Sequence, residues 1–340
     1  MTEHLTKLTS SEIGSIWTNY MNDSMSKCVL GYFLKHVEDN EIKSVVQFAY
    51  DLSTTHIQKL MSIFQKEEIP TPAGFTDEDV NMNAPRMYTD QFMLNYIHHM
   101  AKIGMLAFSG FTSMSARDDI RNYFIEGLNE SSKLYERSSS ILLSKGLFTR
   151  APYVAYPTET DYVDSKKYLS GLNPFSNKRP LNMVEIAHLF INIQTNLIGT
   201  KIAQSFAQGS SIEKIRKWML RGKDIAQKHI QVLAKVLLEN DIQSPASSDI
   251  CITDSTEPPF SDKLTMFLIS LLNSSGIGNY AMAAAASQRS DLILNYERLS
   301  AEVAQYAKDG FDILIDHAWL EQPPGTKDKD QLTKKKDTMD

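Results

Sequence analysis

An internal repeat constrains this chain more than any other feature. The run His56-Ile57-Gln58 recurs as His229-Ile230-Gln231, an offset of 173 residues. The same offset carries Leu8 onto Leu181, Glu12 onto Glu185, Asn19 onto Asn192, Phe33 onto Phe206, Leu60 onto Leu233 and Pro72 onto Pro245 without a gap. Beyond a loop the offset becomes 172. It then carries Asp90 onto Asp262, Gly104 onto Gly276, Ser115 onto Ser287, Arg117 onto Arg289 and Glu130 onto Glu302. Ordered identities at a fixed offset, changing once inside a loop, point to one structural unit used twice. The 340 residues are enough for two ordinary domains, and 42% are hydrophobic, enough for a core in each.

Each unit reads as four helices. Thr9-Ser10-Ser11-Glu12 has the form of a capping box, and Asn182-Met183-Val184-Glu185 stands opposite it. Ile13, Trp17, Tyr20, Val29 and Phe33 then follow at helical spacing. A second helix is expected from Asn40 to Glu68, and its copy from Ser210-Ser211-Ile212-Glu213 to Asn240, with Pro70, Pro72 and Pro245 just beyond. The third starts at Thr89-Asp90 and Ser261-Asp262. The fourth is expected to take Ser115 or Ser287 as N-cap, and Gly146 ends its first copy. Gly104 and Gly276 inside helix three imply close helix contact or a local bulge.

The connection between helices two and three is long in both units, Ile69 to Tyr88 and Ile242 to Phe260. A 28-residue helix spans about 42 Å. Some twenty extended residues reach about 60 Å. The connection can therefore run the length of the bundle, and the other connections are short. Two hairpins joined by one long crossover is the ferritin-like arrangement. The expected fold is all-α: two tandem ferritin-like antiparallel four-helix bundles over residues 8–150 and 181–322. A linker over 151–180 is expected to pack on the bundles through Tyr153, Tyr156, Tyr162 and Tyr168, and a tail over 323–340, with Lys334-Lys335-Lys336, to be disordered.

The composition excludes several classes. A net charge of −6 without a basic face argues against nucleic-acid binding. The first residues lack an apolar signal core, and Leu264–Met282 is too interrupted by polar residues and glycine to be a membrane span. Cys28 and Cys251 fit no metal or disulfide framework, so a cytoplasmic setting is expected. No nucleophile–base motif, phosphate loop or dinucleotide fingerprint occurs.

Chemistry, if any, falls on His56, Glu130, His229 and Glu302. His56 lies in phase with Leu52, Leu60 and Ile63, and Glu130 with Tyr123, Leu134 and Ile141. His229 and Glu302 repeat the pattern, so each unit is expected to bring one imidazole and one carboxyl group into its core. Two readings follow. The first is a buried, hydrogen-bonded polar pair. The second is a metal site for iron or manganese, because di-iron bundles use inward Glu and Glu-x-x-His ligands. The metal reading lacks ligands: Ser53 and Ala226 stand three positions before the two histidines, and Asp51 and Asp224 point elsewhere on the helix. Glu185-Ile186-Ala187-His188 matches the motif but lies in helix one, and Ser15 stands opposite His188. His98 and His99 of helix three have no counterparts, since Ser270 and Leu271 replace them. The polar-pair reading is preferred, with no cofactor.

The paired layout, His56-Ile57-Gln58 with its copy, and the Pro-containing crossover Ile69–Pro72 resemble the domain-of-unknown-function 3231 family of Bacillus-type spore formers over about residues 8 to 322. The resemblance implies tandem ferritin-like bundles similar to spore coat protein F, and a role around the spore. It implies no catalytic residues. The expected function is a non-enzymatic structural or interaction protein with protein partners or self-association. The alternative is a ferritin-like metal-binding protein or oxidoreductase. The alanines at 281 and 283–286 would suit tight packing in either case.

Overall fold

The computed structural model describes residues 6–173, 178–246, 251–326 and 328–329. Its first unit contains α1 (Ser10–His36), α2 (Asn40–Lys66), α3 (Asp90–Ser113) and α4 (Asp118–Ser144). Its second contains α5 (Met183–Gly209), α6 (Glu213–Leu238), α7 (Asp262–Ala286) and α8 (Ser290–Asp316). The expected capping boxes form at Thr9 with Glu12 and at Asn182 with Glu185. Thr89 and Ser261 cap α3 and α7 through their hydroxyls. No helix among the described residues is long and apolar enough to cross a membrane.

Contacts at the ends fix the direction of each helix. Ser11 near the start of α1 donates to the Met114 carbonyl just past α3, and Arg117 before α4 pairs with Glu67 just past α2. At the other end Lys145, just past α4, pairs with Asp39 before α2, and the Asp39 amide donates to Asp90 at the start of α3. Helices α2 and α3 therefore run parallel, and residues 67–89 travel back along the bundle between them. In the second unit the Leu181 amide before α5 donates to Asn240 past α6, and Lys214 early in α6 pairs with Asp316 at the end of α8. Both units are ferritin-like four-helix bundles.

The two crossovers pair with each other. Asn81 N donates to Pro259 O at 2.8 Å, and Thr253 N to Met87 O at 2.9 Å. Ser261 N donates to Asp79 O at 2.9 Å, and Thr89 N to Cys251 O at 3.2 Å. Adding 172 to the first-unit member of one bond gives the second-unit member of its mate, so the four bonds obey a two-fold exchange. Antiparallel bridges Val80–Phe260 and Tyr88–Ile252 follow the same rule. One apolar cluster spans the junction, with Met25, Leu30 and Tyr32 beside Phe206, Phe260 and Met266. The units are joined as a pseudo-symmetric dimer is, and not only by the linker.

Three expectations need correction. Tyr153, Tyr156 and Tyr162 are 86–91% exposed, so the front of the linker does not pack. They stand among Pro, Asp, Glu and Thr and share no apolar face. Tyr168 alone of the four docks, with its hydroxyl 3.2 Å from Gln288 and the Arg179 guanidinium 3.9 Å above its ring. Ser115 and Ser287 do not cap α4 and α8; their hydroxyls bond back to Phe111 O and Ala283 O. The N-cap positions are Arg117 and Arg289, without side-chain caps of their own. Gly104 sits against Ser131, where a Cβ would lie 2.9 Å from its Oγ, but Gly276, which lines a cavity, has no neighbour within 4 Å of such a Cβ. The expected disorder from 330 onward, with Lys334-Lys335-Lys336, lies outside the described residues, as do 174–177 of the linker.

Helices α2, α4, α6 and α8 end alike. Glu68, Gly146, Asp241 and Ala318 have φ of 55°, 69°, 58° and 55°. The following amides of Ile69, Leu147, Ile242 and Trp319 reach back to Phe64 O, Leu142 O, Leu237 O and Leu314 O, the Schellman arrangement. A side chain disfavours this left-handed backbone by about 1 kcal/mol. Ala318→Gly is therefore expected to stabilise the chain by up to about 1 kcal/mol, while Gly146→Ala destabilises it by a similar amount. Urea unfolding of the two variants checks this, and equal midpoints for wild type and both variants would refute it.

Candidate functional site: two buried histidine centres

Each histidine sits in the middle of the second helix of its unit, one turn from the leucine that repeats with it. His56 is 4% exposed and His229 is 0% exposed. A buried imidazole needs partners at both ring nitrogens or it loses its hydration without return. Both centres meet that need, by different means.

In the first unit His56 Nε2 lies 2.7 Å from Glu130 Oε2 on α4, and Nδ1 lies 3.2 Å from Asp23 Oδ2 on α1. Asn19 donates to the same Asp23 oxygen at 2.7 Å, and the Tyr123 hydroxyl donates to Asn19 at 2.8 Å. Rings of Phe108 and Tyr123 stand edge-on to the imidazole. Burial alone would lower the His56 pKa. The Asp23 charge and hydrogen bond, joined by those of Glu130, outweigh it and push the value up to about 10. The hydrogen bond from His56 also holds Glu130 below the usual carboxylate range against its own desolvation. The centre is an imidazolium between two carboxylates, drawing three helices together.

In the second unit His229 Nε2 lies 3.2 Å from Glu302 Oε2, and Nδ1 lies 2.9 Å from the Tyr280 hydroxyl. Asn196 donates to that hydroxyl at 2.8 Å. Asn196 occupies the position of Asp23, and Tyr280 that of Phe108. With no second carboxylate, desolvation prevails and lowers the His229 pKa. Burial would raise Glu302, but Lys228, 2.8 Å away, and His229 hold it low. This imidazole is neutral at pH 7. It accepts from Tyr280 and donates to Glu302.

The structure thus joins His56 to Glu130 and His229 to Glu302, as the spacing predicts. Sequence reasoning missed Asp23, Tyr280 and Lys228. The repeat offset held the signal, because Asp23 over Asn196 is the one acidic column inside the first helix that changes charge. A small cavity adjoins each centre at equivalent positions, 110 Å³ beside His56 and 80 Å³ beside Tyr280.

The carboxylates of Glu12 and Glu185 have a different task. Glu12 accepts the amides of Thr9, Ala116 and Arg117 at 2.7–3.0 Å. Glu185, fully buried, accepts those of Asn182, Gln288 and Arg289 and both ends of the Arg179 guanidinium. One carboxylate thereby closes two helix N-termini, where negative charge is favoured. This explains why α4 and α8 need no cap of their own.

The sites hold poor material for a metal. Among the described residues no group of three or more His, Cys, Asp or Glu is arranged around one point that could hold an ion. Asp23 and Glu130 stand on opposite nitrogens of the ring, so they cannot share an ion with it. A metal at His56 must also displace a proton that two carboxylates retain.

A family model described as protein of unknown function (DUF3231) matches residues 1–159 and again 169–332. The chain belongs to that family. Its two matches fall on the two bundles. A solved structure of a candidate spore coat protein from Bacillus halodurans is similar at 18% identity, with a TM-score of 0.42, covering 44% of this chain and 98% of its own. No curated protein matches the chain.

The two centres must respond to pH with opposite sign. Below about 6.5 an imidazole is protonated in the unfolded chain as well. Above that, only folded His56 keeps its proton, until about 10. Its contribution is therefore full below about 6.5 and lost between there and about 10. Folded His229 loses its proton more readily than the unfolded chain, so its contribution is present above about 6.5 and lost as pH falls below that value. His56→Gln should flatten the alkaline limb of unfolding free energy and cost about 3 kcal/mol at neutral pH. His229→Gln should flatten only the acid limb. Denaturant unfolding across pH 5 to 10 measures both, and superimposable profiles would sink the assignment.

Proposed function

We propose that this chain is a non-enzymatic structural or interaction protein, acting through association with protein partners or with copies of itself, in the spore setting that its sequence resemblance implies. The observation that carries this reading is the saturation of the two buried histidine centres. His56 has both nitrogens engaged by carboxylates, and His229 has both engaged by Tyr280 and Glu302. A general acid or base must exchange its proton with a substrate in reach. These imidazoles exchange theirs with helices instead, and fix the register of α1, α2 and α4 or of α6, α7 and α8. A registry role is the best-attested use of buried polar clusters.

The competing metal reading makes a different forecast. Protein purified from medium supplemented with iron, manganese and zinc is expected to carry metal well below one ion per chain, and His56→Ala and His229→Ala are expected not to change it. Elemental analysis decides the point. Metal at one ion per bundle that disappears with His56→Ala would replace the structural reading with the metal-binding one.

A further inference from the structure

The two histidine centres are equivalent in place but not in charge. In the second unit Lys228 lies 2.8 Å from the Glu302 carboxylate and His229 is neutral, so the centre balances. In the first unit Thr55 stands where Lys228 stands in the copy. The His56 imidazolium there meets two carboxylates, Asp23 and Glu130, and among the described residues no lysine or arginine pairs with either. Lys59 pairs with Glu126 at 2.8 Å, and it and Lys133 act on Glu130 only from a distance. One negative charge is left in excess in the middle of the bundle, where an unmatched charge is costly.

The imidazole is saturated, but the carboxylate beside it is not. Asp23 Oδ2 accepts from His56 at 3.2 Å and from Asn19 at 2.7 Å, while Oδ1 has no hydrogen-bond partner among the described residues. The Asp23 side chain keeps 13% of its surface open. It lines the cavity of 110 Å³ beside His56, with Asn22 and Ser26 next to it on α1. Tyr96 lines the same cavity, and its buried hydroxyl, able to accept as well as donate, is also without a partner. Most of the remaining wall is apolar, with Leu30, Ile97, Phe108, Leu134 and, from the second unit, Leu271. In the sister cavity Asn196 takes the place of Asp23. A volume of 110 Å³ is about that of three or four molecules of liquid water, so a guest of about four heavy atoms fits.

We propose that the cavity of the first unit binds a small organic ammonium ion, whose charged end donates to Asp23 Oδ1 and whose short alkyl body lies among Leu30, Ile97 and Phe108. Asn22 and Ser26 supply further acceptors for its N–H groups. A bare metal ion would meet the same charge but only one free carboxylate oxygen, where such ions need several oxygen ligands. The guest would neutralise the excess charge that Lys228 offsets in the sister centre. The inference goes beyond the registry role of His56, which stands whether or not a guest binds.

The probe is n-propylammonium, protonated at pH 7 as a lysine side chain is, titrated into the full chain and followed by ligand-observed NMR. It is expected to bind at one site with a Kd of about 10 mM or tighter, while 1-propanol and propionate, of similar size, bind at least about tenfold more weakly. Potassium chloride at equal concentration is expected not to displace it. Asp23→Asn makes the first cavity resemble its sister, and should weaken propylammonium at least about tenfold while leaving 1-propanol unchanged. Ser26→Leu fills the space from a half-buried position of α1 and is expected to abolish binding; it decides the location should Asp23→Asn fail to fold. A Kd weaker than about 10 mM, equal binding of 1-propanol, displacement by potassium, or binding untouched by either variant would each overturn the proposal.

Discussion

A long crossover in a helical bundle carries backbone amides and carbonyls that the backbones of neighbouring helices cannot satisfy, because helices use their own. That constraint organises this molecule. Residues 67–89 and 239–261 each solve the other's problem: four exchanged hydrogen bonds and two antiparallel bridges tie one crossover to the other. Each bundle thus turns the side that bears its crossover toward its sister. The apolar cluster that runs from Met25 and Tyr32 to Phe206 and Phe260 follows from this choice of face. The halves are bundles by their own helix patterns and a single body by their connections.

Polar groups elsewhere tie helices together inside each bundle. Glu12 and Glu185 each close two helix starts with one carboxylate, and the histidine centres join helices at mid-height. The clamp was kept in both copies, while the histidine centre was changed. Replacing an acid by Asn196 and a phenyl ring by the Tyr280 phenol turns an imidazolium held by charge into an imidazole held by neutral hydrogen bonds. The same backbone accommodates both because each leaves both ring nitrogens engaged.

Much of this was legible in the sequence. Helix count, the capping boxes, the crossover and the meeting of His56 with Glu130 all follow from periodicity and the repeat. The parts that were not legible depend on residues distant in sequence. Ser115 looks like an N-cap by type, but a carboxylate 103 positions earlier reaches the amides first. Asp23 looks like one more polar residue in α1 until α2 is placed beside it. The linker tyrosines look like docking groups, yet only Tyr168 has Arg179 and Gln288 within reach. Pairing between crossovers is invisible to any local pattern, since short extended segments of this kind carry little signal of their own.

Covalent connection through residues 151–180 gives the paired crossovers a property that a dimer of single bundles would lack. Two separate chains would come apart on dilution, and each would have to present the same surface to the other. Here the mate is always present at high effective concentration, so the junction persists however scarce the protein is. Freed from self-complementarity, the two surfaces could drift apart, and one interface now offers two chemically distinct faces to its surroundings.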